Sequence, residues 1–203
     1  MANIMPNKHV WTPRRVKITL DSMIIKQEHA FVLANWVQRK DSNARIPKDI
    51  KFNFNLIYRG SRDGYETNNI RRKCYEQGAV IIIIKTKEDG TIIGGYNSLG
   101  LRYLMTTNQG FSTNYYWSNT TESFIFSLGD GDDLKNIKIS RVVNSDCAIY
   151  SCNDKNIKLN FGNSDLIINK NSGSCNRRYY ESEFIDADRF TIEEMEIFKF
   201  YKS

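Results

Sequence analysis

Within KQEHAFVLANWVQR, residues 26–39, Ala30, Leu33, Ala34 and Val37 recur at i, i+3, i+4 and i+7, and Phe31 and Trp36 widen the apolar stripe. That period predicts an amphipathic helix. The polar run 41–49 predicts a loop, and Pro47 prevents the helix from continuing before a strand over 51–58. Thr67 is expected to cap a short helix over 68–76, with Ile70 and Cys74 on one face and Arg71, Arg72 and Lys73 pointing mostly outward. Residues 79–85 are nearly continuous β-branched sequence, and after the turn KEDG the segment TIIGGY continues it. This predicts a hairpin with both strands largely buried. Over 123–128, Phe124 and Phe126 alternate with Ile125, and further short strands are predicted over 137–143, 147–151, 158–161 and 165–168. In the last segment, RFTIEEMEIFKFY, Thr191 and Glu194 imitate a helix capping box. Met195 and Ile197 nevertheless alternate with Glu194 and Glu196, which predicts a strand over 195–201.

So many short strands with few helices predict an α+β, mostly β fold, with two antiparallel sheets packed as a sandwich and a few helices at its side. The 203 residues, 40% of them hydrophobic, suit one substantial core. Residues 1–17 read as a basic tail and 18–203 as one domain, with a helical lead-in over 21–50 and a β-sandwich core over 51–203. The longest apolar run, 79–84, is strand-sized, well short of the roughly 20 residues of a membrane span. The opening residues lack the apolar region of a signal peptide. A cytoplasmic chain without a membrane span is expected. The formal charge of +6 is mainly a tail property, because Lys8, Arg14, Arg15 and Lys17 precede the first acid, Asp21, leaving 25 bases against 23 acids. A solvated tail explains this more simply than nucleic-acid binding.

Candidate chemistry is sparse. Gly60-Ser61-Arg62-Asp63-Gly64 follows a predicted strand as a phosphate loop would, but it lacks the spacing and the Lys-Ser/Thr of one. A corner is the better reading, with glycines permitting a tight turn, Arg62 and Asp63 pairing locally and Arg59 bracing a carboxylate elsewhere. Any function at this corner would come from the exposed face of Arg62 or Asp63. Asp130-Gly131-Asp132-Asp133 lacks the remaining ligands of a calcium loop and reads as a polar turn. Glu193, Glu194 and Glu196 supply carboxylates, but Glu194 and Glu196 share one face of the predicted strand, where solvent is the expected neighbour. Cys74, Cys147, Cys152 and Cys175 form no CxxC pair, and His9 and His29 are the only histidines, so neither a zinc site nor a thiol nucleophile with a histidine partner is supported. Gly94 and Gly95, before Tyr96, suit a close backbone approach or a bulge. The clusters YYW (115–117) and RRYY (177–180) lie far apart in sequence and read as core edge and rim, although their composition also suits a protein interface. No catalytic residue, metal or cofactor is expected.

Order matters more than any one motif. An amphipathic helix ending near Trp36, then LIYRGSRDGY, a helix with a cysteine, VIIIIK leading into GGY, ESFIFSL, AIY, FGNSDLIIN and FTIEEMEIFKF together resemble the TLDc domain over about 18–203. The lead-in looks most like that of fungal proteins in which a BTB domain precedes the TLDc domain, and the twenty residues ahead of it here are too few for one. The resemblance implies two antiparallel sheets packed as a sandwich. It also implies an intracellular protein-interaction module without an accepted catalytic mechanism, connected with oxidation resistance and, in several members, with the vacuolar proton ATPase. A hydrolase or thiol antioxidant enzyme, or a partner of a BTB-linked ubiquitin-ligase adaptor, are the alternatives. By position, the family's marked residues correspond to Arg59, Ser61, Arg62, Asp63 and Gly64, to Gly94, Gly95 and Tyr96, and to Glu122, Ser123, Phe124 and Phe126. They continue with Phe161, Gly162, Asp165 and Leu166 and end with Glu194, Glu196 and Phe198. Animal members commonly carry a run of glycines after the position of Phe161, whereas this chain has Gly162 followed by Asn163 and Ser164.

Overall fold

The computed structural model describes residues 18–47, 49–102, 115–132, 134–152, 159–182, 185 and 188–203, so the expected tail over 1–17 lies outside the described residues. The chain begins with β1 (Ile18–Leu20), α1 (Gln27–Val37) and β2 (Phe52–Arg59). A helical turn α2 (Gly60–Asp63), a helix α3 (Thr67–Cys74) and the hairpin β3 (Val80–Thr86) and β4 (Ile92–Asn97) follow. Short strands then succeed one another as β5 (Tyr115–Ser118), β6 (Phe124–Ser127), β7 (Lys138–Arg141), β8 (Ile149–Cys152), β9 (Leu159–Phe161), β10 (Leu166–Asn169) and β11 (Ser172–Ser174). The long strand β12 (Arg189–Lys202) is the last element.

Alternation along β3 shows how these elements form layers. Val80, Ile82 and Ile84 enter one apolar cluster and Ile81 and Ile83 another, as the two-residue period of an extended chain requires. A strand apolar on both faces needs cover on both sides. One side is covered by α1, whose Ala30, Val32, Leu33, Ala34 and Trp36 are buried against Phe52, Phe54, Phe124, Phe126, Phe198 and Phe200. The other side is covered by the second sheet, through Ile149, Leu159, Phe161, Leu166 and Ile168.

The first sheet runs β1-β2-β12-β3-β4-β6-β7 and the second β5-β8-β9-β10-β11-β12. The expected sandwich is therefore present, with one hydrogen-bonded path linking its two sheets through β12. Residues 189–191 pair with β11, pairing with β3 runs from Ile192 to Lys199 and pairing with β2 from Glu196 to Lys202, so residues 196–199 lie between β2 and β3. A register shift against β3 between Ile192 and Glu194 leaves Glu193 as an extra residue. Such a bulge bends a strand, which suits one that passes from sheet to sheet. The expected strand over 195–201 is thus the second half of a longer one. The pairing of β1 with β2 is parallel, unlike the antiparallel arrangement expected throughout.

Burial on α1 is wider than its apolar stripe because the following loop wraps it. Asn35, fully buried, donates Nδ2 to the carbonyls of Ser42 and Ala44 at 3.2 and 2.9 Å, and Ile46 in that loop is buried. His29 is also buried, and its Nδ1 accepts the Lys26 N–H at 3.2 Å. Burial first, and then the Lys26 charge, lower its pKa. The neutral imidazole is thereby favoured. The start of α3 differs from expectation: Thr67 is its first helical residue and Glu66 takes the N-cap position, with no side-chain cap.

Gly95, on β4, faces the second sheet so closely that a Cβ there would lie 2.5 Å from Phe161 Cζ. Gly95→Ala is expected to lower the unfolding free energy by about 1–3 kcal/mol through overpacking. Urea unfolding followed by circular dichroism checks this, and adding Phe161→Leu should recover part of the loss.

Candidate functional site

The chain leaves β2 at Arg59 and turns through α2, and Asp63 holds the turn. Its side chain is 6% exposed and accepts the Arg59 backbone N–H at 3.0 Å, the Arg62 guanidinium at 2.8 and 3.0 Å and the Lys73 ammonium at 2.8 Å. Arg62 first, then Lys73 and the Arg59 N–H, outweigh burial and hold the Asp63 carboxyl well below the usual carboxylate range. Asn69 Nδ2 donates to the Asp63 carbonyl at 2.7 Å, and the Tyr58 hydroxyl donates to the carbonyl of Gly64. Gly64 has φ of 79°, a left-handed conformation that glycine adopts without a side-chain clash. Asp63 therefore faces inward, contrary to the expectation of an exposed face, while the Arg62 side chain is 46% exposed.

Two glutamates of β12 complete the corner. Glu194 Oε1 accepts the backbone N–H of Ser61 at 3.1 Å and that of Met195 at 2.8 Å. Tyr65 lies against Gly60, where a Cβ would come within 2.4 Å of its ring, and its hydroxyl donates to the Glu193 carbonyl at 3.0 Å. Glu196 overturns the expectation of a solvent-facing carboxylate, because it has no exposure at all. It pairs directly with Arg59 in the β2–β12 register, and Arg59 Nε donates to its Oε1 at 2.8 Å. The Met23 N–H donates to the same oxygen at 3.0 Å, and Ser22 Oγ donates to Oε2. Ser22 Oγ in turn accepts the N–H groups of Ile24 and Ile25, and Arg59 Nη2 reaches Asp21 Oδ1 at 3.2 Å. Burial opposes the Arg59 charge, but the hydrogen bonds to Glu196 and Asp21 prevail and raise its pKa. Asp21 and Ser22 were not among the residues singled out from sequence. A polar Asp-Ser pair shortly before an apolar-periodic helix is the local signal that marks them.

The remaining marked residues gather elsewhere. Gly94 abuts β3 and Phe126: a Cβ there would lie 2.0 Å from the Ile82 carbonyl oxygen and 2.7 Å from Phe126 Cζ. Beyond Phe161, Gly162 and Asn163 both adopt left-handed backbone, with φ of 63° and 60°. Asparagine tolerates that region better than most residues, so Asn163 meets a conformational demand that a glycine would also meet. Asp165, buried, closes the turn by accepting the N–H groups of Arg178, Tyr179 and Tyr180 at 2.7, 3.0 and 3.1 Å. Burial raises its carboxyl, and these backbone donors offset part of the effect. Glu122 stands apart from both groups and pairs with Arg39 at 3.2 Å, which lowers its pKa. The structure thus unites Arg59, Ser61, Arg62, Asp63, Gly64, Glu194 and Glu196 in one corner. Gly95, Gly162 and Asp165 belong to a second region, where the two sheets meet, whereas Gly94 faces Phe126 on the α1 side of the first sheet.

Cys74 is fully buried on α3, and burial first, then Asp63, push its thiol up to about 12. Burial likewise pushes Cys175 up strongly. A cleft of about 460 Å³ at the end of the β3–β4 hairpin is lined by Glu88, Asp89, Asn136, Arg189 and Phe190, among others. Both carboxylates serve folding contacts: Glu88 ties the hairpin turn to β12 by accepting the Thr191 N–H at 2.8 Å, and Asp89 accepts the Thr91 N–H within the turn at 3.0 Å. No helix among the described residues is long and apolar enough to cross a membrane. A family model described as the TLDc domain matches residues 18–201. No curated protein matches the chain.

Replacing the Glu196 carboxylate by an amide leaves the desolvated Arg59 with the exposed Asp21 alone as countercharge and removes one of the two oxygens that hold Ser22 and Met23. Glu196→Gln is expected to cost about 3–5 kcal/mol in chemical unfolding, because breaking a buried ion pair strands its partner; Ser22→Ala should cost about 1 kcal/mol. For Asp63 the folded pKa is depressed, so its stabilisation is complete above the unfolded value of about 3.9 and is lost as pH falls towards the folded one. Asp63→Asn should therefore be less stable than wild type at pH 7, and the gap should narrow at pH 3 in urea melts.

Proposed function

The chain belongs to the TLDc domain family, and from that premise we propose that it is a non-enzymatic protein-interaction module. The soluble sector of a vacuolar-type proton ATPase is the candidate partner, and oxidative-stress tolerance is the physiological setting. The observation that carries this reading is that the family's marked carboxylates are occupied by folding contacts. Asp63, Asp165, Glu194 and Glu196 all accept donors from the chain's own backbone. A general acid or base needs a proton site that substrate can reach. Arg62 and Glu122 are the marked charged residues whose side chains are about half exposed, at 46% and 53%. Surface display of that kind suits recognition of a partner.

The competing reading is a thiol antioxidant enzyme. Reactive cysteines combine exposure with a depressed pKa. Cys74 has the opposite pair of properties, being fully buried with a thiol pushed up to about 12.

Co-sedimentation of the chain with the soluble sector of a vacuolar-type proton ATPase, with ATP hydrolysis recorded alongside, tests the proposal. Saturable binding with altered hydrolysis is expected, and absence of binding would remove the pump as partner. In a parallel peroxide-consumption assay, wild type and Cys74→Ser should be indistinguishable. A turnover that disappears with the thiol would favour the enzyme reading instead.

A further inference from the structure

Trp117 on β5 and Tyr150 on β8 are direct cross-strand partners, so their side chains leave the second sheet on the same face. Ile149 belongs to the core between the sheets, and strand alternation places Tyr150, with Trp117, on the opposite, outer face. There the Trp117 ring meets Tyr150 at 4.9 Å and Tyr179 at 5.8 Å between centroids. The two aromatic clusters that lie far apart in sequence therefore meet through Trp117 and Tyr179, with Tyr180 buried in the core and Tyr179 packed at its edge. Val143 extends it: its N–H donates to the Tyr179 carbonyl at 2.8 Å and its side chain is 69% exposed. Arg177 and Arg178 precede Tyr179, are exposed, and form no side-chain hydrogen bond or ion pair among the described residues.

We propose that this outer face of the second sheet is a docking surface for an acidic protein segment, which sets an apolar side chain against Trp117 and Val143 and carboxylates against Arg177 and Arg178. The inference rests on the protein-interaction reading and locates its surface, without depending on which protein binds. Trp, Tyr and Arg are the residues that dominate binding energy at protein interfaces. An unpaired guanidinium offers a planar fork that matches a carboxylate. Single-stranded nucleic acid fits less well, because it needs ring faces on which successive bases stack. The Tyr150 and Tyr179 rings lie at 68° and 86° to Trp117, so the three provide no series of parallel platforms. The carboxylates of Asp146, bonded to Asn119 just beyond β5, and of Glu181, bonded to the Arg141 N–H, border the cluster. They would repel a continuous line of phosphates, whereas a peptide can place one or two carboxylates opposite the arginines.

The test is a random-peptide display library selected on the folded chain and counter-selected on Arg177→Glu/Arg178→Glu. Recovered peptides are expected to carry acidic residues beside an aromatic or aliphatic one. By fluorescence anisotropy they should bind wild type at least about tenfold more tightly than Trp117→Ser or the charge-reversed variant, as loss of a central anchor implies. The charge-reversed variant changes only exposed side chains and should keep the wild-type melting temperature, so its loss of binding reports the surface rather than the fold. No recovered peptide, peptides without acidic residues, or equal affinity for both variants would overturn the proposal. A labelled oligothymidylate that outcompetes the peptides would also overturn it and assign the face to nucleic acid. Variants that still co-sediment with the pump sector while peptide binding fails would sink the surface and leave the interaction reading standing. Peptide binding that maps to the cluster without any pump association would do the reverse for that partner.

Discussion

A carboxylate with no solvent exposure, in the second half of the longest strand, must find every partner within the protein. Moving such a charge out of water costs several kcal/mol, and only a close countercharge and further hydrogen bonds offset it. Glu196 satisfies that demand with Arg59 across the β2–β12 pair and with Ser22 and Met23 from the segment leading into α1. One side chain thereby ties a register to the docking of the helical lead-in. The residue after Arg59 opens the turn that Asp63 closes, so the corner inherits its position from the same ion pair.

The second constraint is the separation of layers. At Gly94 the missing side chain admits Phe126 and the neighbouring backbone, and at Gly95 it admits Phe161 from the opposite sheet. The Phe161 ring packed on the bare backbone of Gly95 buries apolar area where a Cβ would force the sheets apart, while a Cβ at Gly94 would collide with its own sheet. With β12 passing from one sheet to the other, backbone hydrogen bonds tie the second sheet to the first. The aromatic cluster around Trp117 is built on that scaffold, away from the corner that the family's marked residues build.

Elements with a strong period were legible in the sequence. The 3.6-residue recurrence placed α1, and the β-branched runs placed β3 and β4, because burial on one or both faces leaves a local pattern. β1, β5 and β11 were not legible, although β6–β10 are as short: β11 is Ser-Gly-Ser with no apolar side chain, β1 and β5 show no alternation of their own, and α2 is hidden because its glycine and charges read as a turn. At the site, the Arg62–Asp63 pairing and the reach of Arg59 to a distant carboxylate were readable as chemistry. The burial of Glu196 was not, since its alternation with Met195 and Ile197 looks like any half-exposed strand and its countercharge lies 137 residues away. The meeting of Trp117 with Tyr179 depends likewise on how β5, β8 and the 177–180 segment are brought together, which no local pattern encodes.

The claim that Glu196 fastens the lead-in to the sheet is tested most directly by native-state amide hydrogen exchange at Met23, Ile24 and Ile25, compared between wild type and Glu196→Gln. These amides have only Glu196 and Ser22 side-chain oxygens as their acceptors among the described residues. The account predicts that in wild type they exchange only through the same opening as the β3 amides. In the variant they should lose protection together while β3 keeps its lead over them. Amides at 23–25 that exchange freely in wild type, or that stay protected without the Glu196 charge, would contradict it.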